Sequence, residues 1–196
     1  MTSIDLEPAT SRMAGLVRAL EEPHLDLPTP CPAYTVGDLV EHIGGFAMAF
    51  QAAAAKDLGG LTSHAPSGDA TRLTDDWRTR IPADLERLAV AWRDPQAWTG
   101  MTQAGGVDLP GEAAGIVVLD ELVVHGWDLA RATGQAYDPE EHLLHAVRGF
   151  AEAVQGPQRE GLFGPPVTVA PGVPLLDQVI GLTGRDPAWS PQTSAG

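Results

Sequence analysis

The chain has one cysteine in 196 residues, Cys31, so an intramolecular disulfide is impossible and a cysteine-built metal cage is excluded. Cys31 stands in Pro30-Cys31-Pro32, a rigid loop rather than a helix N-terminus that would lower a thiol pKa, and reads as structural or incidental rather than nucleophilic. Positive charge is scarce as well. Twelve Lys plus Arg against 26 Asp plus Glu leave a formal net charge of −14, which repels nucleic acid and anionic membrane surfaces. No apolar run approaches the roughly 20 residues that a membrane helix needs, and the N-terminus lacks the basic-then-apolar layout of a secretory signal, so the expected compartment is the cytoplasm. Internal repeats, a phosphate-cradling glycine loop and a Gly-x-Ser-x-Gly elbow are all missing, which argues against nucleotide-dependent chemistry and serine hydrolysis.

What is present is helical periodicity. Met13, Leu16, Val17 and Leu20 form one face of a first helix over about 6–21, which Pro23 stops. A proline-rich connection leads to Thr35, whose hydroxyl, with Asp38 three residues on, predicts the capped start of a second helix carrying His42. Gly44 and Gly45 weaken that helix and suggest close packing or close approach of a backbone or ligand. Residues 56–70 read as a loop containing a solvated His64. A third helix is predicted over about 70–93, bent or interrupted at Pro82, and 98–110 reads as a short hairpin or irregular crossover. A fourth helix runs from Gly111 to Thr133 with Gly134 closing it. A fifth opens on Asp138 and Pro139 and continues to about Val154, followed by an extended piece at 167–173 and a short helix at 175–182. The length fits one domain, 1–185, with a loosely ordered tail at 186–196. Monomer and homodimer both remain open.

Glu121-Leu-Val-Val-His125 places a carboxylate and an imidazole four residues apart, hence on one face of a helix that is apolar on most sides. Buried there, the two groups must be paired, neutralised or coordinated. If the second and fourth helices pack side by side, His42 joins them. Two imidazoles and one carboxylate leave coordination positions open, as a catalytic zinc site does, and the same set suits Fe(II). A fourth protein ligand such as His24 or His64 would favour a structural ion instead, in a non-catalytic binding or sensor protein. Asp128, one turn beyond His125, either accepts a hydrogen bond from that ring or pairs with Arg131 on the surface. Trp127 reads as packed in the core, and His142 and His145, at a spacing of three that could bind metal, as solvated or core-edge histidines of an ordinary amphipathic helix.

Thr29-Pro-Cys-Pro-Ala-Tyr-Thr-Val-Gly-Asp-Leu-Val-Glu-His42, followed by Glu121-Leu-Val-Val-His-Gly-Trp-Asp-Leu-Ala-Arg-Ala-Thr-Gly134, resembles the actinobacterial metal-binding proteins of the DinB-like fold related to mycothiol-dependent maleylpyruvate isomerase. The ending, Phe163-Gly-Pro-Pro-Val with Gly184-Arg-Asp-Pro-Ala-Trp189, fits the single-domain group of the same family, so the resemblance covers nearly the whole chain. It implies an all-α DinB-like four-helix bundle with extra short helices, in which His42, Glu121 and His125 hold a divalent metal. Zinc is the first expectation, with nickel or ferrous iron as alternatives. It further implies mycothiol as cosubstrate and a metal-activated thiolate that attacks an electrophilic substrate in isomerisation or S-transfer.

Overall fold

The computed structural model describes residues 3–154, 156, 159 and 162–191. Among the described residues six α-helices and one hairpin follow in the order α1 (Glu7–Arg18), α2 (Val36–Ala55), α3 (Trp77–Trp92), β1 (Met101–Ala104), β2 (Val107–Pro110), α4 (Gly111–Thr133), α5 (Glu141–Ala153) and α6 (Leu175–Leu182), with short 3-10 turns in several of the connections. The fold is all-α, as the periodicity and the resemblance imply.

The first four helices close a ring. Both α1 and α2 pack against α3 and α4, so α1 stands diagonally from α2 and α3 diagonally from α4. Inward-facing residues at helical spacing fill the centre: Met13 and Val17 of α1, Leu39, Ile43 and Phe46 of α2, Ile81, Leu85 and Leu88 of α3, and Val118 and Leu122 of α4. Each such aliphatic side chain taken fully from water contributes about 2 kcal/mol. The adjacency of α2 and α4 brings the second and fourth helices side by side, the condition on which the three-residue constellation depended. α5 packs on α4 and α6. None of the helices of the described residues is long and apolar enough to cross a membrane.

Local chemistry sets the boundaries. The Thr35 hydroxyl accepts from the Asp38 N–H and the Asp38 carboxylate from the Thr35 N–H, the reciprocal cap anticipated from sequence. The hairpin pairs Thr102 with Leu109 and turns at Gly105-Gly106, both at positive φ as a tight two-residue turn demands. Two starts differ from expectation. α3 begins at Trp77 rather than at 70: residues 70–72 form a separate 3-10 turn because the Asp69 carboxylate captures the Thr71 N–H and Asp38 captures the Ala70 N–H. The helix then runs through Pro82 without interruption. α5 begins at Glu141 instead of being capped by Asp138; Glu140, extended at ψ 136, is drawn into an ion pair with Arg12 of α1 at 2.9 Å. α1 ends at Arg18, short of the expected 21, and Pro23 lies in a 3-10 turn. Residues 167–173 run without regular structure, with the Val167 N–H donating to the Gly181 carbonyl. Of the expected tail, Pro187 and Trp189 offer their carbonyls to Arg131, and residues 192–196 lie outside the described residues.

Candidate metal centre

His42 stands on α2, and Glu121 and His125 on α4, one turn apart. Their ligand-competent atoms all lie within 4.8 Å of one another. One carboxylate oxygen, Oε2 of Glu121, sits 3.2 Å from Nε2 of His42 and 3.2 Å from Nε2 of His125. The two rings meet nearly edge to face, 5.0 Å between centroids at 81°.

The far side of each imidazole decides what the near side can do. Nδ1 of His42 lies 3.0 Å from the Pro66 carbonyl, which can only accept, so Nδ1 carries the hydrogen. That contact needs Gly45: a Cβ there would lie 2.9 Å from Pro66 Cβ, so the glycine lets the loop lie flat on α2. Nδ1 of His125 donates to Asp128 Oδ2 at 2.9 Å. With both Nδ1 atoms engaged, the two neutral rings turn Nε2 lone pairs toward a carboxylate oxygen. Three acceptors in contact repel unless protons or a cation lie between them. Donors about 2.1 Å from a common ion at near-tetrahedral angles stand about 3.4 Å apart, close to the spacings seen. The residues therefore fit a divalent metal in both geometry and donor type.

The electrostatics point the same way. Burial works against an imidazolium at His125, but hydrogen bonds to Asp128 and Glu121 outweigh it and push the ring up to about 9. Burial would raise Glu121, yet the hydrogen bonds of His125 and His42 hold it well below the usual carboxylate range. Asp120 is pushed up to about 8, first by burial and then by the charge of Glu121, and one of its oxygens is buried without a hydrogen-bond partner. The cluster thus draws positive charge to one point.

Asp128 is fully buried. It does not pair with Arg131, which reaches the Pro187 and Trp189 carbonyls instead. Its partner besides His125 is Arg185, from the segment after α6, through Nε to Oδ1 at 3.3 Å and Nη2 to Oδ2 at 3.1 Å. Residue-type reasoning passed over Arg185, although it sits in the Gly184-Arg-Asp-Pro-Ala-Trp189 ending that carries the resemblance. Trp127 is buried, while His142 and His145 are exposed. His24 accepts the Glu21 N–H on its Nδ1, and the exposed His64 contacts Ser63; neither joins the cluster of His42, Glu121 and His125.

The three residues line an open cavity of about 440 Å³. Phe46, Phe50, Val117 and Leu162 make much of its wall apolar, and Tyr34 and Cys31 line it from the loop closed by the Pro28–Thr35 bridge. Burial, then the negative charge of Asp128, pushes the Cys31 thiol up, in keeping with a non-nucleophilic residue. Among the described lining residues Arg185 is the single lysine or arginine, and it is already paired with Asp128.

Two proteins from different strains of Mycobacterium tuberculosis, both described as uncharacterized, are each 29% identical to this chain over 174 residues, covering 87% of it and 83% of their own length. Solved structures of the mycothiol-dependent maleylpyruvate isomerase and of a histidine-to-alanine mutant of it share the fold, each with a TM-score of 0.58 at 19% identity, over 75% of this chain and 68% of theirs. Residues 6–130, which include all of α2 and the turns of α4 that carry Glu121 and His125, match the mycothiol maleylpyruvate isomerase N-terminal domain, and the chain belongs to that family.

Proposed function

We propose that the protein is a metal-dependent thiol S-transferase or isomerase that uses mycothiol, with His42 Nε2, Glu121 and His125 Nε2 holding a divalent ion, zinc by donor type. One observation carries this reading: three donors converge in an open cavity while the remaining nitrogen of each imidazole is tied elsewhere. The three ligands leave coordination positions on the cavity side, and neither His24 nor His64 is placed to fill them. Family membership supplies the thiol.

A divalent ion at this position lowers the pKa of a thiol that binds to it and so supplies a thiolate at neutral pH. The chain's own residues set the conditions for that chemistry. Pro66 and Asp128 fix the two rings with Nε2 toward the cavity, and Glu121 stays ionised between them. Phe46, Phe50 and Val117 exclude water from the wall, where a sulfur nucleophile is then less solvated and an apolar electrophile is held by contact. Because the charge of Arg185 is already matched by Asp128, no free cation among the described lining residues stands ready for a dicarboxylate; the electrophile that fits this wall is apolar and carries little negative charge.

The test is elemental analysis of the purified protein combined with calorimetric titration of mycothiol into zinc-loaded and zinc-free protein. One zinc per chain, with mycothiol binding only to the loaded form, is the expected result. Zinc without any thiol binding would overturn the thiol reading and leave a metal-binding protein of another kind, and iron in place of zinc would redirect it to oxygen chemistry at the same three residues.

A further inference from the structure

We propose that Arg185 is a positioning residue for the metal ligand His125, acting through Asp128, and that docking of the segment 183–189 onto α4 and metal binding are therefore coupled. The inference rests on the metal-binding reading of His42, Glu121 and His125.

A fully buried carboxylate is costly unless matched by charge and hydrogen bonds. Asp128 has two sources of both: the Arg185 guanidinium, which lays Nε and Nη2 against its two oxygens, and the His125 ring. The fork fixes the plane of the carboxylate, and the fixed plane directs Oδ2 at Nδ1 of His125. Without it, Asp128 would retain one donor for two buried oxygens and would turn toward water, releasing the ring. Arg185 is held in its turn: its Nη1 donates to the Thr183 carbonyl at 3.2 Å, and Thr183 is fully buried. Arg131, six residues beyond His125 on α4, donates to the Pro187 and Trp189 carbonyls at 3.1 and 2.7 Å. One helix thus carries two of the ligands and holds the segment both at the arginine that braces one of them and two and four residues beyond it. Arg185 lies outside the stretch 6–130 that defines the family match. If metal binding favours the ordered ring, it favours the docked segment by the same factor.

The experiment measures zinc affinity by competition with a chromophoric chelator for the full chain and for Arg185→Ala, Arg185→Lys, Asp128→Ala and the double variant Asp128→Ala/Arg185→Ala. Arg185→Ala is expected to weaken zinc binding by about tenfold or more. Arg185→Lys should recover part of that loss. In the Asp128→Ala background, removing Arg185 should cost no further affinity, because the two act as one unit. Wild-type affinity in Arg185→Ala, or the same factor lost in both backgrounds, would overturn the proposal. Should Arg185→Ala not fold, hydrogen exchange of the unaltered protein decides: zinc is expected to slow exchange in 183–189, and equal exchange with and without zinc would count against the coupling. A wild-type protein that takes up no zinc defeats the metal reading itself, and this shows before any variant is compared.

Discussion

His42 and His125 face the same carboxylate oxygen at the same distance, but they are held from behind in different ways. His42 leans on a backbone carbonyl, Pro66, in the loop that follows α2, and that loop is tied back to α2 and its approach by the Gly68 N–H on the Tyr34 hydroxyl and the Ala70 N–H on Asp38. His125 leans on a buried carboxylate that is itself braced by an arginine 57 residues further on. A neutral acceptor orients a ring with little effect on its basicity, whereas a carboxylate also raises it. Against the effect of burial, the hydrogen bonds to Asp128 and Glu121 push His125 up to about 9. One ring is thus positioned by a nearby loop, the other by charge delivered from Arg185.

Removing the rings themselves should have the largest effect. His125→Ala and His42→Ala should each reduce zinc from one per chain to near zero after gel filtration, and full retention in either variant would take that residue out of the site.

The next effect concerns charge. In the metal-free protein, the folded His125 value lies above the ordinary 6.5, so its contribution to stability is complete below 6.5 and is lost as pH rises through about 9. Asp120, raised from 3.8 to about 8, also favours the protonated folded state; its contribution is complete below 3.8 and is lost as pH rises through about 8, within the lower part of that window. Glu121, lowered, contributes above its ordinary value and loses that only in acid. The thermal midpoint of the metal-free protein should therefore fall by several degrees between pH 6.5 and 9, at about 2–4 °C per kcal/mol for a chain of this size. Asp120→Asn should flatten part of the fall. Zinc, which displaces the His125 proton, should raise the midpoint most at the alkaline end. A midpoint that is constant or rises over this range in the metal-free protein would contradict the assignment of charge.

The smallest effect tests the loop side. Gly45→Ala would place a Cβ 2.9 Å from Pro66 Cβ and push the Pro66 carbonyl away from His42. Zinc affinity should fall by less than about tenfold, below the loss expected from removing such a partner outright. Global stability should change little, because alanine regains about 1 kcal/mol of helix propensity that offsets the crowding. Unchanged zinc affinity would mean that Pro66 does not orient the ring.

Local features were legible where the chemistry is local. The Thr35 and Asp38 cap and the Gly134 stop are each written within a few residues, and the structure has them where the sequence predicts; of the two readings of 98–110, hairpin or irregular crossover, the structure has the hairpin. The start of α3 was misread because the side chain of Asp69 competes for the backbone N–H groups of 70–72, and the start of α5 because Glu140 answers to Arg12, 128 residues away. In the site, the i, i+4 spacing placed Glu121 and His125 on one face of a helix, and only the assumption of adjacent helices added His42. Whether Asp128 turned to His125 or Arg131 was undecidable from spacing, since both lie three residues from it.

The amino-acid sequence by itself determined which side chains share a helical face and where a helix is bounded by its own local caps, as at Thr35 and Gly134, because the period of 3.6 residues and these capping hydrogen bonds act over a few residues. Tertiary structure alone decided that α2 packs against α4, that the Pro66 carbonyl reaches His42 and that Arg185 finds Asp128. These contacts join residues 24 to 79 positions apart, and which of the available partners each buried polar group takes depends on how the apolar faces close around it.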